Sequence, residues 1–159
     1  EGATCLHGGP GGFHRQLWEV TAYADAAITL ELVSPDGDQG FPGRLVATAT
    51  YTVGPGLVTI DLAATTDAPT VVNLTNHAYF NLAGHDSGTV LDQLLQIDAS
   101  AYTPVDAELL PTGEVLSVDG TPYDFRVETP IGKNIDAVDN AGYDHNWVLD
   151  GEACARSQR

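Results

Sequence analysis

The chain has 159 residues, 43% of them hydrophobic and 18% charged, and its 6 Lys and Arg face 22 Asp and Glu for a formal net charge of −16. That balance argues against nucleic acid as a partner, because a duplex binder needs basic side chains to displace counterions, and against an anionic membrane surface for the same reason. The composition is globular rather than disordered, and the length suffices for one domain or part of a larger one.

At the amino end, EGATCLHGGP lacks the charged start and hydrophobic stretch of a secretory signal, and no apolar run approaches the roughly 20 residues of a membrane span. A cytoplasmic location is therefore expected. The chain begins at Glu1 and contains no Met, so the expectation is a fragment of a longer reading frame. LHGGPGGFHRQLW (6–18) is Gly-rich but lacks the Lys-Ser/Thr ending of a phosphate loop, so its glycines are read as allowing close approach of backbone to a ligand or another strand. LWEVTAY (17–23) predicts a strand, Asp25 and Ala26 a short turn, and AITLELV (27–33) a half-buried strand with Ile28, Leu30 and Leu32 on one face.

SPDGDQGFPG (34–43) predicts a long turn in which carboxylates bind their own backbone; it lacks the acidic spacing and closing Glu of a calcium loop. LVATATYTV (45–53) and LVTIDLAA (57–64) predict a hairpin with GPG (54–56) as a three-residue loop. After Thr70 come VVNLT, DQLLQIDA, AYTPV, EVLSV, YDFRV and YDHNWVLD, each broken by Gly, Pro or Asp. Only IGKNIDAV (131–138) offers a helical turn or two. The fold class is therefore all-β, an antiparallel β-sandwich, in a single domain over 1–159 without repeats or linkers.

Five histidines, at 7, 14, 77, 85 and 145, are the side chains whose ordinary pKa lies nearest neutrality and so the first candidates for proton transfer. None forms HxH or HExxH, and Cys5 and Cys154 stand alone near opposite ends, so two free thiols and no metal site are expected. NLTNHAYFNLAGH (73–85) sets Asn73, Asn76, His77 and Asn81 among apolar residues, where buried amides must find partners. One reading makes the asparagines turn residues and His77 a hydrogen-bonded core histidine; the other makes His77 functional. The sequon at Asn73 lies in an apolar strand context that disfavours glycosylation. In GYDHNWVLD (142–150), Asp144, Asn146 and Trp147 suit a sugar, whose C–H faces take an aromatic and whose hydroxyls take polar groups; the alternative is a strand with Trp147 in the core.

Taken in order, LHGGPGGF, SPDGDQGFPG, NLTNHAYFNLAG, TPVDAELLPTGEVLSVDGTPYDFR and GYDHNWVLD resemble the aldose 1-epimerase family, the galactose mutarotases, over essentially the whole chain. NLTNHxYFNLAG and LHGG are the most specific parts. The resemblance implies a β-supersandwich, of which this chain is an incomplete part, and interconversion of the α and β anomers of free aldohexoses such as glucose and galactose with no cofactor. It also implies that His77 is the general acid, that His7 is a second active-site histidine contacting substrate, and that Asp144 holds sugar hydroxyls. His14, His85 and His145 receive no catalytic role.

The resemblance further implies a glutamate base near the carboxyl end and a substrate-binding arginine before LHGG. Neither has a counterpart in these 159 residues, and Glu152 does not lie in the glutamate motif. The chain is accordingly expected to be the central portion of a longer protein, and weakly active or inactive alone. Two alternatives belong to other classes. One is a non-catalytic carbohydrate-binding module using His7, Asp144 and Trp147; the other is a hexose-6-phosphate 1-epimerase, disfavoured by the acidity and the lack of an arginine cluster.

Overall fold

The computed structural model describes residues 4–138 and 142–151 together with the backbone of 155–158, and its regular structure is almost wholly antiparallel β. Two compact units, Glu1–Ala78 and Tyr79–Arg159, are taken in turn.

In the first unit β1 (Glu19–Ala24), β2 (Ala27–Ser34), β3 (Leu45–Gly54) and β4 (Leu57–Thr66) form one sheet in that order. Neighbours in sequence are neighbours in the sheet, so every connection closes locally at small entropic cost. Val, Ile, Thr and Tyr dominate these strands because branched and aromatic side chains pack well on a pleated surface. Thr29 and Thr50 stand opposite each other across β2 and β3, with hydroxyls 3.0 Å apart. Alternation is plainest along β3, where Leu45, Ala47 and Ala49 are buried; Leu32 is the buried member of the β2 set.

Three connections refine the sequence reading. Gly54 pairs with Leu57, so the β3–β4 loop is the two residues Pro55-Gly56 rather than the three expected from GPG. Pro at the first central position and Gly56 at φ +67° suit a type II turn, which needs positive φ at its second central residue. β1 starts at Glu19 rather than at residue 17, after Gln16 Nε2 has been tied to the Gly11 carbonyl (2.8 Å) and Trp18 Nε1 to the Phe13 carbonyl (3.0 Å). Between β2 and β3 the carboxylates serve the turn as expected: Asp36 Oδ1 accepts from Gly43 N (2.6 Å), and Asp38 Oδ2 accepts from Ser34 Oγ (2.9 Å) beside a 3-10 turn at Asp38–Gly40.

The second unit holds β5 (Leu94–Ile97), β6 (Ala99–Thr103), β7 (Leu116–Ser117), β8 (Thr129–Pro130), β9 (Asn146–Leu149) and β10 (Ala155–Gln158), in two sheets ordered β10-β5-β8 and β7-β6-β9. IGKNIDAV supplies a 3-10 helix at Ile131–Ala137. Ile97, Ala99 and Phe125 form one buried cluster, and Tyr102, Val118, Tyr123 and Val138 another, with Tyr143 and Trp147 packed against both. Phe125 and Val118 are fully buried, each worth about 1.5–3 kcal/mol relative to an exposed side chain.

Two expected strands are not formed. VVNLT (71–75) runs without a ladder, and YDFRV (123–127) is held by its own side chains. Asp124 Oδ1 takes both the Arg126 backbone N–H (3.2 Å) and its Nε (2.9 Å), a local closure that competes with ladder pairing. One ladder-like bond survives, from Ile97 N to the Phe125 carbonyl at 2.8 Å. β10 was not anticipated. No helix among the described residues is long and apolar enough to cross a membrane. Cys5 is a free, exposed thiol, while Cys154 and Glu152 lie outside the described residues.

Candidate active site

His7 is carried by a tight turn in which Gly9 N donates to the Leu6 carbonyl at 2.9 Å and both central residues have positive φ, His7 at +52° and Gly8 at +78°. Glycine adopts that conformation freely; a side chain there costs about 1–2 kcal/mol and persists only where its surroundings enforce it. The enforcement is visible. Gly9 continues at φ +86°, Gly12 N donates back to the Gly9 carbonyl at 3.0 Å, and Gly12 is buried so closely on the His7 carbonyl that a Cβ could not fit. From the neighbouring turn, Gln39 Oε1 accepts from Gly11 N at 3.0 Å. The glycines of this segment thus serve close packing of backbone on backbone and on the Gln39 amide.

His77 is placed by the residue before it. Asn76 Nδ2 donates to the Tyr51 hydroxyl on β3 at 3.2 Å, while Asn76 Oδ1 accepts from Ala78 N at 3.0 Å, so both ends of one amide are used on either side of the histidine. The outcome corrects the core-histidine reading, since His77 is exposed. Its imidazole meets that of His7 edge to face, with centroids 5.0 Å apart at 85°. His14 lies 6.2 Å from His7, and its Nε2 accepts from the Arg15 Nε at 3.3 Å. Among the described residues no three His, Cys, Asp or Glu side chains gather as metal ligands.

The remaining candidates belong to the second unit. Asp144 is exposed just before β9, and its backbone N–H donates to His145 Nδ1 at 3.3 Å. The His145 ring lies 4.6 Å from that of Tyr123 and 5.9 Å from that of Tyr102, as a packing group. Trp147 donates from Nε1 to the Tyr123 carbonyl at 2.9 Å and, half-buried, packs against both buried clusters, as the core reading expects. Burial, with a smaller contribution from Tyr123, pushes the Tyr143 phenol above its ordinary value, and its hydroxyl donates to the Pro122 carbonyl at 3.1 Å. His85 is exposed in a turn closed by Ser87 N on the Gly84 carbonyl.

A groove of about 500 Å³ in this unit is lined by Thr121, Asp124, Arg126 and Lys133 among others. Its guanidinium is already committed, 2.6 Å from Asp124 Oδ2 and 2.8 Å from Asp119 Oδ1. Those hydrogen bonds raise the Arg126 pKa, and the Arg126 guanidinium holds the Asp124 carboxyl below its ordinary 3.8.

The sequence alone did not disclose the partners that fix the two histidines. Gln39 reaches Gly11 across 28 positions and Tyr51 reaches Asn76 across 25, and no local pattern signals either contact.

The sequence profile described as aldose 1-epimerase matches residues 1–159. The chain belongs to the aldose 1-epimerase family. Among its relatives, the galactose mutarotase of Bos taurus is 41% identical over 159 residues, covering 98% of this chain and 46% of its own length. The aldose 1-epimerase of Escherichia coli (strain K12) is 42% identical over 154 residues, covering 94% of this chain and 44% of its own. Among solved structures, an aldose epimerase homologue from C. elegans matches with a TM-score of 0.88 at 32% identity, over 98% of this chain and 49% of that one. Galactose 1-epimerase from Lactobacillus acidophilus NCFM matches at 0.85 and 31%, over 97% and 48%. The mostly β, antiparallel architecture is thus that of the epimerase family over about half its length, and the chain spans about half the length of the curated relatives it matches.

Proposed function

We propose that this epimerase-family chain contributes the acid side of a mutarotase site, at which free aldohexoses such as glucose and galactose exchange their α and β anomers. The observation that carries the reading is the meeting of His7 and His77, far apart in sequence and brought to 5.0 Å between ring centroids on exposed backbone. Acid–base chemistry at an anomeric centre needs such groups within hydrogen-bond reach of the sugar.

In the proposed mechanism, protonated His77 donates to the ring oxygen as the C1–O5 bond breaks, while the C1 hydroxyl gives its proton to a base and its O–H electrons become the carbonyl π bond. Rotation about C1–C2 turns the other face of the aldehyde toward O5. Reversal of both transfers closes the opposite anomer and restores the imidazolium. His7 contacts the sugar beside His77. The family resemblance supplies the remaining parts, a glutamate base towards the carboxyl end and Asp144 for the sugar hydroxyls; the Asp144 assignment rests on the GYDHN motif alone. No redox or nucleotide step enters this scheme.

Two facts weigh against the other readings. Trp147 uses its indole N–H on the Tyr123 carbonyl and packs its half-buried ring on the core, which weighs against its serving as the main aromatic platform of a binding module. Arg126 is already paired with two carboxylates, which leaves that groove poorly suited to a sugar phosphate.

Polarimetry on freshly dissolved α-galactose tests the proposal. A polypeptide of the relatives' full length that contains these residues is expected to speed the approach to the equilibrium rotation, and the 159-residue chain alone to do so far less. No buffer-corrected acceleration by the longer polypeptide would refute the assignment.

A further inference from the structure

We infer that Gln39 is a positioning residue for His7, a role that rests on the mutarotase reading of the His7–His77 pair. The Gln39 carboxamide lies against the loop that carries His7. Its Oε1 accepts from Gly11 N at 3.0 Å, and its Nε2 donates to Asp38 Oδ1 at 3.2 Å; the other oxygen of Asp38 accepts from Ser34 Oγ at 2.9 Å at the end of β2. A chain of hydrogen bonds therefore runs from a strand of the sheet through Asp38 and Gln39 to the glycine loop.

The fit is close on both sides. A Cβ at Gly9 would stand 2.8 Å from Gln39 Oε1, and one at Gly11 2.6 Å from Nε2, so the absence of side chains at these positions is what lets the amide seat itself. Gln39 has φ +50°, a conformation unfavourable to a glutamine, and the two hydrogen bonds of its side chain are what it gains there. His7, at φ +52°, is the second side chain held in this unfavourable region of the same assembly. Gly12, next to the Gly11 N–H that Gln39 holds, packs on the His7 carbonyl, so releasing Gln39 loosens the loop beside that contact and lets the His7 ring move away from its partner. Gln39 touches no reacting atom in this scheme; it acts through Gly11 and the turn.

The test uses the full-length polypeptide and three variants. Gln39→Met keeps the length of the side chain but neither accepts from Gly11 nor donates to Asp38. Gly11→Ala crowds the same contact from the loop side without touching the 34–43 turn. Gln39→Glu combined with Asp38→Asn keeps the acceptor for Gly11 N and reverses the donor and acceptor between residues 38 and 39, so that no two carboxylates face each other. Two quantities are read: kcat for galactose mutarotation, and the nuclear Overhauser cross-peak between the ring protons of His7 and His77. The cross-peak and kcat are expected to fall together in Gln39→Met and Gly11→Ala, kcat by about tenfold or more, as misplacement of a reacting group predicts, and both to recover in the Gln39→Glu/Asp38→Asn double variant.

The inference is overturned if Gln39→Met keeps the cross-peak and a kcat within about twofold, or if the Gln39→Glu/Asp38→Asn double variant is damaged as badly as Gln39→Met. Should Gln39→Met fail to fold, Gly11→Ala decides by the same criteria. If the unsubstituted protein shows no mutarotation, the activity reading fails, and the cross-peak alone still decides whether Gln39 positions His7.

Discussion

His7 occupies backbone space that glycine would hold at no steric cost, and the enclosing turn keeps it there. The substituents with the least side chain separate backbone strain from function. His7→Gly and His7→Ala both remove the imidazole, yet only alanine retains a Cβ in the left-handed region, so the glycine variant is expected to be more stable by about 1 kcal/mol in urea unfolding. Equal stabilities would mean that the turn stores no strain at residue 7. The other member of the pair is fixed differently, through an amide shared between the Tyr51 hydroxyl and the Ala78 N–H. Neither arrangement could be read from spacing. The motifs named His7 and His77 as candidates, but their meeting depends on tertiary contacts made by residues with no local signature.

Among the elements, β2, β3 and β4 were legible because eight to ten residues of apolar and branched side chains leave little alternative to a paired strand. YDFRV shows why alternation alone misleads. In YDFRV the period of two is present, and Tyr123 and Phe125 are indeed buried, but Asp124 turns its carboxylate on Arg126 and folds the segment on itself. Short polar side chains compete with the ladder for backbone donors, and hydrophobic alternation does not register that competition.

The Asp124–Arg126 closure carries a pH signature. Arg126 holds the folded-state pKa of Asp124 below the ordinary 3.8, so the stability contributed by the ionised carboxylate is fully present above that value and is lost as pH falls through the lower, folded one. Asp124→Asn is expected to melt below the unsubstituted chain at pH 7, with the gap narrowing as the pH drops below about 4. A gap that stays constant to the lowest pH at which the chain is folded would show that ionisation of Asp124 is irrelevant to stability. The effect is modest, because the pair is partly solvent-exposed.

At the scale of the whole molecule, the charge of −16 with Lys133 as the only lysine makes copies of this chain repel one another. The family was legible from motifs such as LHGG and NLTNHAYFNLAG, and the antiparallel β class from alternation. The two-unit organisation, the 3-10 turns and the committed Trp147 required the structure, because each depends on which distant groups find one another.

The role of His77 as general acid is tested most directly by magnetisation exchange between the α and β anomeric protons of galactose, measured by NMR at equilibrium with the full-length polypeptide and its single-histidine variants. His77→Ala is predicted to reduce the catalysed exchange rate by about 10²–10⁴-fold and His7→Ala to reduce it severely, whereas His85→Ala leaves it unchanged. Exchange that persists undiminished without the imidazole of residue 77, or that is lost equally in all three variants, would contradict the account.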